Sequence, residues 1–421
     1  MKICVVGLGY MGLPMAALLA QAGHDVVGVD INPQVVDDVN LGRCPFLETG
    51  MPDLVRDAHA SGRLRAVLGG EGLRERMGPA LPTTYVLSLP TPVNHATHVA
   101  DMAYVRAGVA SITPLLKPDD VVILESTSPL GATRADVQAP IDAARPDLAG
   151  KVHYVFCPER AIPGNTLHEM THNDRLVGGL TADATARGVA LYQSFCKGAV
   201  MACRAEEAEM VKLVENASRD VQIAFANELS LVCDTLGLDV RRVIELANHH
   251  PRVNILQPGP GVGGHCIAVD PWFIIQHAKD ITPLMQAARG VNDGKPAWVV
   301  EKTLAAVAAL GKRDAVVACL GLAYKPNVDD LRESPSIEVV RGLVKLSAAQ
   351  GFRVVVSEPH LDRWEIPLTP FTDAVAQADV VVVLTGHAVF AGLPDGALAG
   401  KDVLDTVGFF RTRTDGNRVV C

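Results

Sequence analysis

Residues 2–12 read Lys-Ile-Cys-Val-Val-Gly-Leu-Gly-Tyr-Met-Gly, a short apolar run that ends in the spacing GxGxxG. An Ala- and Leu-rich stretch follows as far as Gln21, so the order is strand, glycine turn, helix. Glycines at this spacing let the chain turn tightly, bring its backbone close to a pyrophosphate and point a helix N-terminus at the phosphate charge. The turn that we expect to hold a cofactor consists of Gly7, Gly9, Tyr10, Met11 and Gly12.

A second apolar run, Val26 to Val29, ends at Asp30. An acidic side chain at the end of the second strand of such a unit binds a ribose hydroxyl. The sequence therefore predicts dinucleotide binding. Aspartate favours NAD over NADP, because a 2′-phosphate would meet a like charge.

Further apolar runs predict parallel strands that are buried on both faces. They lie at 85–89, 121–124, 152–156 and 176–177. Polar or proline-rich turns follow the first three, and ligands gather beyond the carboxyl ends of parallel strands. We therefore expect one crevice lined by Gly7, Asp30, Thr91, Thr127, Glu159 and Arg160. The alternative for the two threonines is that they are ordinary polar residues of surface loops.

Residues 204–236 contain neither proline nor glycine and predict one long helix that ends at Gly237. At about 100° per residue, Lys212, Asn216 and Arg219 fall on one side. The packing face predicted opposite them consists of Leu213, Val214, Ala217, Val221 and Ala224. The polar stripe either faces a site or is a solvated charged surface. A second helix is predicted from Asp239 as N-cap to about His249.

The stretch 259–272 reads Gly-Pro-Gly-Val-Gly-Gly-His-Cys-Ile-Ala-Val-Asp-Pro-Trp. Its four glycines leave room for a close approach, and Cys266 lies where they end. A thiolate is a strong nucleophile when its surroundings are polar and partly exposed. The alternative is a tight turn that carries a buried structural cysteine.

Beyond Lys312 a second α/β pattern begins, with strands at 315–320, 353–356, 380–384 and 403–404. A helix is predicted to run through about Ala349, with Ser334 as its N-cap and Pro335 in its first turn. The predicted fold class is therefore α/β, with two Rossmann-like lobes joined by a long central helix and the substrate in the cleft between them. The predicted domains are 1–200 for NAD, 201–300 for dimerisation and the cysteine, and 312–421 for the nucleotide sugar.

Composition limits the function classes. The chain has 421 residues, 48% of them hydrophobic, and a formal net charge of −9 without a basic run, which argues against nucleic acid as a main partner. Nine scattered cysteines form no CxxC pair, which indicates reduced thiols, a cytoplasmic location and no metal site. No apolar run approaches the roughly 18 residues that span a bilayer, so no membrane association is expected.

From end to end the chain resembles the UDP-glucose/GDP-mannose dehydrogenase family. The stretches that carry the resemblance are 7–12, 125–127, 157–160, 209–216, 224–230, 248–272 and 321–335. The family oxidises a primary alcohol of a nucleotide sugar twice, with NAD as cofactor and without releasing the aldehyde. The resemblance implies that Cys266 forms a thiohemiacetal and then a thioester. It also implies that Lys212 and Asn216 flank the reacting oxygen.

The resemblance assigns roles to further residues. Asp270 assists proton transfer, and Thr127 and Glu159 position the attacking water. Arg332 reaches towards the NAD phosphates, and Arg252 reaches into the site of a neighbouring subunit, which implies a homodimer built on the long helix. The substrate-binding residues implied are Arg160, Ala161, Lys212, Asn216, Arg219, His250, Arg252, Gly263, Tyr324 and Lys325.

Departures from the family pattern indicate the substrate. Where UDP-glucose enzymes carry a second glutamate, four residues after Glu159, this chain has Pro163. The sequence around Arg160 and Gly164 resembles the N-acetylhexosamine branch, which implies oxidation of UDP-N-acetyl-D-mannosamine at C6. Alternatives are UDP-N-acetylglucosamine or UDP-glucose, a two-electron β-hydroxyacid dehydrogenase, and a non-catalytic nucleotide-sugar sensor. Val35 replaces a basic residue that many relatives have near the adenosine.

Overall fold

The computed structural model describes residues 1–46, 48–77, 83–94, 97–161, 164–264, 266–411 and 419–420. The chain forms two compact units. The first contains residues 1–214 and 272–277, and the second contains 215–271 and 278–421. Within the described residues, no helix is both long enough and apolar enough to cross a membrane.

The first unit is built on an eight-stranded sheet. Its strands are β1 (Lys2–Val6), β2 (Asp25–Asp30), β3 (Leu64–Leu68), β4 (Thr84–Leu87), β5 (Val121–Leu124), β6 (His153–Phe156), β7 (Arg175–Gly179) and β8 (Val200–Arg204). Their order is β3-β2-β1-β4-β5-β6-β7-β8, and β6 with β7 is the antiparallel pair. The first six strands follow the doubly wound order 3-2-1-4-5-6, which places the ends of β1, β4, β5 and β6 side by side.

Helices cover both faces of this sheet. They are α1 (Gly12–Gln21), α2 (Pro33–Asn40), α3 (Met51–Ala60), α4 (Gly69–Met77), α5 (Ala103–Ile112), α6 (Ala139–Ala144), α7 (Thr166–His172) and α8 (Ala182–Tyr192). A π-helical segment, Thr133–Gln138, leads into α6. Side chains of a strand alternate between the faces, so Ile3 and Val5 of β1 join one core while Cys4 and Val6 join the other.

The second unit combines helices with a smaller parallel sheet. Its strands are β9 (Ala315–Leu320), β10 (Phe352–Ser357), β11 (Val380–Val383), β12 (Asp402–Asp405) and β13 (Val419–Val420), in the order β10-β9-β11-β12-β13. The remaining helices of the chain are α9 (Ala205–Leu236), α10 (Val240–Ala247), α11 (Asp270–Ile275), α12 (Pro283–Ala309), α13 (Pro335–Gln350) and α14 (Phe371–Gln377). Helix α9 begins in the first unit and continues into the second.

The predicted fold class is confirmed, and the long helix begins one residue later than predicted. Asp239 caps α10 as expected, because its carboxylate accepts the N–H groups of Arg241 and Arg242. The predicted side-chain cap at Ser334 is wrong, since that hydroxyl donates to the carbonyl of Leu322 instead. On α9, Leu213, Ala217 and Ala224 are buried as predicted, but Val214 is exposed.

Candidate active site

The first glycine turn has the geometry that its spacing predicts. Gly7 has φ +91°, and its N–H donates to the carbonyl of Val29 at 2.8 Å. A Cβ on Gly7 would overlap the carbonyl oxygen of Ser88, and one on Gly12 would overlap that of Gly7. At Gly9 a Cβ would meet no atom of the described residues within 4 Å. The turn is therefore closed at Gly7 and Gly12, where backbone groups meet. It is open at Gly9, where a pyrophosphate can approach the protein backbone.

Asp30 and the start of α1 complete this turn. The Asp30 Oδ2 atom accepts the N–H of Leu8, and its Oδ1 accepts the N–H of Asn32, both at 2.8 Å. In the described part of the chain no side chain caps α1, and its first turn carries no acid. The positive helix end is thus directed at the turn, which fits the pyrophosphate of a dinucleotide. Tyr10 is exposed beside it, with its ring 4.4 Å from that of Phe46.

Hydrogen bonds join the loops that follow β4 and β5. The Thr91 hydroxyl donates to the carbonyl of Thr127 at 2.6 Å, and the N–H of Leu89 donates to the Ser126 hydroxyl at 2.8 Å. Both threonines are partly exposed. The structure thereby brings together two of the predicted crevice residues at the carboxyl edge of the first sheet.

Glu159, after β6, is held from both sides. Its Oε2 accepts from the guanidinium of Arg175 at 2.8 Å, and its Oε1 accepts the N–H groups of Arg160 and Ala161 at 2.7 and 2.9 Å. The Arg160 side chain donates to the carbonyl of Asp174. The carboxylate is therefore fixed by an arginine that the sequence reasoning missed.

A buried polar cluster lies behind Glu159. The Tyr192 hydroxyl donates to Glu125 Oε1 at 2.7 Å, while Glu125 Oε2 has no hydrogen-bond partner among the described residues. Burial raises the pKa of Glu125 to about 7, and the charge of Arg175 opposes that rise. Arg175 lies on β7 and Tyr192 on α8, so no local sequence pattern relates them to Glu125.

Lys212 and Asn216 lie one turn apart on α9. Lys212 is 8% exposed, which places it on the buried side of the helix, whereas Arg219 is exposed. The Asn216 side chain donates to Asp270 Oδ2 at 2.6 Å, and Asp270 is only 2% exposed. Lys212 is therefore buried rather than solvated, whereas Arg219 is open to solvent and to any ligand.

One turn earlier on α9, Glu209 is fully buried and accepts the N–H groups of Gly131 and Thr133 at 2.6 and 2.9 Å. It caps the segment that follows the Thr127 loop. Glu209 was predicted only as an acid near the positive end of the long helix, and its contacts to the segment after Thr127 were not predicted.

Cys266 opens the turn that leads into α11. Its carbonyl accepts the N–H groups of Val269 and Asp270 at 3.1 and 2.8 Å. The residue is partly exposed, in contrast to Cys4, Cys157 and Cys319, whose thiols are fully buried. Burial raises the pKa of Cys157 and Cys319 to about 12, so those thiols are inert at neutral pH. His265 lies outside the described residues, as does Pro163.

The glycines before Cys266 pack against the loop after β9. The N–H of Gly264 donates to the carbonyl of Arg332 at 3.0 Å. A Cβ on Gly263 or Gly264 would clash with Tyr324, so the Tyr324 side chain lies directly against this backbone. The Arg332 guanidinium pairs with Asp330 at 2.6 Å, and Lys325 is exposed.

A cavity of about 240 Å³ lies beside these loops within the second unit. Its lining includes Pro260, Gly261, Tyr324, Thr385, Val407 and Phe409. Proline, aromatic rings and backbone groups suit a flat heterocycle with polar edges. His250 and Arg252 follow α10 and are exposed, with the Arg252 N–H donating to His250 Nδ1 at 3.3 Å.

The second sheet repeats the turn of the first without its sequence motif. Gly321 has φ +91°, and its N–H donates to the carbonyl of Ser357 at 2.8 Å. Glu358 occupies the place that Asp30 has in the first unit and accepts the N–H of Leu322 at 2.7 Å. Glu358 also pairs with buried His387 at 3.0 Å. Sequence reasoning missed both residues, because the glycine spacing that marks the first turn is absent here.

Three family models match the chain. The NAD binding domain of the UDP-glucose/GDP-mannose dehydrogenase family matches residues 1–196, its central domain 206–294, and its UDP binding domain 318–412. This chain belongs to the UDP-glucose/GDP-mannose dehydrogenase family. It is an NAD-dependent nucleotide-sugar dehydrogenase, so the predicted family, enzyme class and cofactor are confirmed. The model for residues 318–412 accounts for the lobe that a β-hydroxyacid dehydrogenase would leave unexplained.

Individual relatives cover nearly the whole chain. A Salmonella typhi protein named UDP-N-acetyl-D-mannosamine dehydrogenase is 44% identical, over 97% of this chain and 99% of its own length. A Ralstonia nicotianae protein named NDP-N-acetyl-D-galactosaminuronic acid dehydrogenase is 43% identical, over 98% and 96%. The solved structure of a UDP-D-ManNAc dehydrogenase from Pyrococcus horikoshii has a TM-score of 0.87 at 31% identity, covering 100% and 99%.

Proposed function

We propose that this family member oxidises C6 of UDP-N-acetyl-D-mannosamine twice, giving UDP-N-acetyl-D-mannosaminuronate. One sugar, two NAD⁺ and one water give one uronate, two NADH and three protons. The observation that carries this proposal is the partly exposed Cys266, which opens the turn to Asp270, with Asp270 held by Asn216 on the α9 stripe. A covalent route through a thiol keeps the aldehyde on the enzyme between the two oxidations.

Bound NAD⁺ supplies the hydride acceptor for each oxidation. The chain does the rest. Lys212 relays the proton that leaves the C6 hydroxyl, and the Cys266 sulfur then adds to C6 of the aldehyde to give a thiohemiacetal. Lys212 and Asn216 stabilise the charge that develops on its oxygen. After the second oxidation a thioester remains, water adds to its carbon, and the C–S bond breaks to release the carboxylate and the thiol.

Two carboxylates have separate tasks in this scheme. Asp270 is buried and fixed by Asn216, so it assists proton transfer near the sulfur from a single position. Glu159 has both oxygens engaged by Arg175 and by backbone N–H groups. It therefore orients the attacking water together with Thr127 and shapes the loop of Arg160 and Ala161, which we assign to the substrate.

The nucleotide part of the substrate is assigned to the second unit. The base occupies the cavity beside Tyr324 and Phe409, and the Gly263 backbone approaches the sugar phosphate. The remaining substrate assignments are the cations Arg219, His250, Arg252 and Lys325, because a diphosphate needs convergent positive charge. Arg332 is assigned to the NAD phosphates, which requires it to exchange its pairing with Asp330. We propose domains at 1–200, 201–300 and 312–421.

The N-acetylhexosamine class is supported by the names of the Salmonella typhi and Ralstonia nicotianae relatives. The epimer is tested by comparing kcat/KM for UDP-N-acetyl-D-mannosamine, UDP-N-acetylglucosamine, UDP-N-acetylgalactosamine and UDP-glucose. NADH is followed by absorbance and the product is identified by mass. We expect the mannosamine sugar to be preferred; a higher value for any other sugar reassigns the substrate.

The thiol route is tested with Cys266→Ala. We expect the variant to yield at most one NADH per sugar and to release an aldehyde that a hydrazine probe traps. Cys203→Ala is the matched control, because Cys203 is also partly exposed but lies on β8. Two NADH per sugar from Cys266→Ala would contradict the covalent route.

We further propose a homodimer built on α9, in which Arg252 reaches the neighbouring site. Five apolar side chains on α9 are exposed: Met210, Val214, Phe225, Val232 and Leu236. At about 100° per residue they fall within an arc of about 80°. Such a stripe on a long helix is typical of an interface. We also propose a cytoplasmic location, because nine scattered cysteines without a CxxC pair are typical of reduced thiols.

A further inference from the structure

Two buried side chains hold the segment that enters the cysteine loop, residues 257–259. Asn227 on α9 is fully buried, and its Oδ1 accepts the N–H of Gly259 at 2.9 Å. Arg241 on α10 is 6% exposed and donates to the Gln257 side chain and the Pro258 carbonyl at 3.0 and 3.2 Å. We call Asn227 and Arg241 the anchor pair. Together they fix the Pro258–Gly259 peptide group from both ends, its carbonyl through Arg241 and its N–H through Asn227.

Asn227 is itself fixed by a buried chain of hydrogen bonds. Its amide donates to Asn292 Oδ1 at 2.8 Å, and the Asn292 amide donates to Asp220 Oδ1 at 2.8 Å. Asp220 pairs with Arg289 at 2.6 Å. All of these groups are at most 2% exposed. Because the Asn227 amide group donates to Asn292, the Asn227 oxygen is the atom left to accept the N–H of Gly259.

Arg241 also contacts the segment that follows β12. The same Nη2 that bonds Pro258 donates to the carbonyl of Thr406 at 2.8 Å. A Cβ on Gly408 would clash with the Arg241 guanidinium, so that side chain lies directly against the backbone after β12. Val407 and Phe409, next to Thr406 and Gly408, line the cavity, as does Pro260, two residues after Pro258. Arg241 thereby sets the spacing of two cavity walls.

The glycines between the anchor pair and residue 264 are closely packed. Gly261, with φ +144°, lies against the carbonyl of Asn292 and the ring of Pro335. Gly263 and Gly264 are packed against Tyr324, and the Gly264 N–H is bonded to Arg332. A displacement at Gly259 is therefore carried along the loop rather than absorbed by it.

We infer that the anchor pair are positioning residues for the proposed reaction: Asn227 places the Cys266 loop, and Arg241 places the cavity wall for the nucleotide. Neither side chain needs to touch the substrate. This inference rests on the proposed function for its kinetic part. It separates the two tasks, since loss of Asn227 acts on the sulfur chemistry and loss of Arg241 acts on substrate affinity.

The Asn227 half is tested with two variants that rank differently for stability and for function. Asn227→Ala removes the acceptor for Gly259, whereas Asn227→Asp keeps it but buries an extra carboxylate near Asp220. We expect Asn227→Asp to have the lower Tm, because a buried charge without a partner is costly. We expect Asn227→Ala to be the worse catalyst, with the second oxidation slowed about tenfold or more.

The readouts include one that needs no activity. Alkylation of Cys266 by iodoacetamide, followed by peptide mass across pH, reports the position and setting of the thiol. We expect its pH midpoint to shift in Asn227→Ala and to stay near wild type in Asn227→Asp and in Ser230→Ala. Ser230 is buried on the same helix; its hydroxyl accepts from Lys295 and donates to the Asn227 backbone carbonyl, so its loss is expected to lower Tm while the Asn227 side chain keeps its bond to Gly259. NADH per sugar should fall below two in Asn227→Ala only.

The Arg241 half is tested with Arg241→Lys, which keeps the charge but loses the planar fork. We expect KM for the UDP-sugar to rise about tenfold while KM for NAD and NADH per sugar stay unchanged. Arg242→Lys is the matched control, because Arg242 is the exposed neighbour and pairs with Glu245 on the surface. An equal change in both variants would overturn the assignment of Arg241.

The Asn227 assignment is overturned if Asn227→Ala keeps the wild-type alkylation profile, or if every effect follows the loss of Tm across the three variants at 227 and 230. Failure of the proposed function gives a different result. Wild type would then oxidise none of the UDP-sugars, while the alkylation profiles of the variants would still differ as stated.

Discussion

Gly9 and Gly12 stand in the same turn, but a side chain at each would meet different surroundings. At Gly12 a Cβ would overlap the carbonyl of Gly7, whereas at Gly9 it would point into open space. We expect Gly12→Ala to cost about 3 kcal/mol of unfolding free energy. We expect Gly9→Ala to keep the wild-type Tm but to weaken NAD binding, since the methyl group fills the approach to the pyrophosphate.

Thermal unfolding and calorimetric titration with NAD separate these effects. Gly62→Ala serves as control, because its Cβ would also be in open space but lies far along the sequence from the turn, and any cost there comes from φ +72° alone. Equal NAD affinity in Gly9→Ala and wild type would show that the cofactor does not approach this backbone.

Glu125 gives the first unit a pH dependence whose sign can be stated. Its pKa in the folded state is raised from 4.5 to about 7 by burial, so the neutral carboxyl favours folding. That contribution is complete below about pH 4.5 and is lost as the pH rises to about 7. Wild type should lose at most about 3 kcal/mol of unfolding free energy over this range through Glu125. Glu125→Gln should lose less.

The measurement is urea unfolding of wild type, Glu125→Gln and Glu71→Gln between pH 5 and 8. Glu71 is an exposed acid on α4, and its replacement should leave the wild-type profile unchanged. Parallel profiles for Glu125→Gln and wild type would mean that Glu125 is already ionised in the folded protein at pH 5.

The residues of the candidate site fall into two groups with respect to sequence. Gly7, Asp30 and Cys266 were predictable because each belongs to a short stretch whose spacing has a local physical meaning. The partner that fixes Glu159 was not, because Arg175 lies on an antiparallel strand and its role arises from sheet order. The anchor pair was hidden for the same reason: Asn227 meets Gly259 only through the packing of α9.

At the scale of elements, both sheets contain the same kind of glycine turn after their first strand, but the acid that contacts the turn has different surroundings in the two units. In the first unit the acid after the second strand, Asp30, is partly exposed beside an open helix end. In the second unit the corresponding acid, Glu358, is buried and bonded by two N–H groups of its own turn and by His387. The Glu358 carboxylate is thus engaged by groups of its own unit, which agrees with our proposal that the nucleotide binds in the cavity beside Tyr324 and Phe409.

His387 connects that turn to the loop of Tyr324 and Arg332. Its Nδ1 accepts the N–H of Asn327 at 3.0 Å, which leaves its Nε2–H to donate to Glu358. We expect His387→Phe to cost about 3 kcal/mol of unfolding free energy, because both partners lose a buried hydrogen bond. KM for the UDP-sugar should rise, while KM for NAD should not change.

Steady-state kinetics and Tm check this prediction against His360→Phe, an exposed histidine whose ring lies 4.7 Å from that of His387. The control should behave as wild type in both measurements. A rise in KM for NAD as large as that for the sugar would contradict a role confined to the second unit.

Which elements could be predicted follows from how strongly their sequences mark them. Strand β9 and helix α9 were predicted closely, because one is an uninterrupted apolar run and the other lacks proline and glycine. Helix α12 was not, since Gly290, Gly294 and Pro296 break its pattern, and tertiary packing against α13 overrides them. Strand β8 was missed because it is an edge strand with exposed side chains.

For the whole molecule, the exposed stripe on α9 predicts the oligomeric state. Phe225, Val232 and Leu236 are 57%, 49% and 65% exposed, although each is strongly apolar. Two such stripes from two chains would bury one another, and the gain scales with the apolar area removed from water. We expect wild type to be a dimer by light scattering and Phe225→Glu to be a monomer with a lower Tm, because the new carboxylate would be desolvated in the interface.

Gln222→Glu, an exposed change on the same helix outside the stripe, should remain dimeric. If Arg252 serves the neighbouring site, the Phe225→Glu monomer should also lose activity at every protein concentration assayed. A fully active monomer would instead show that every site residue comes from one chain.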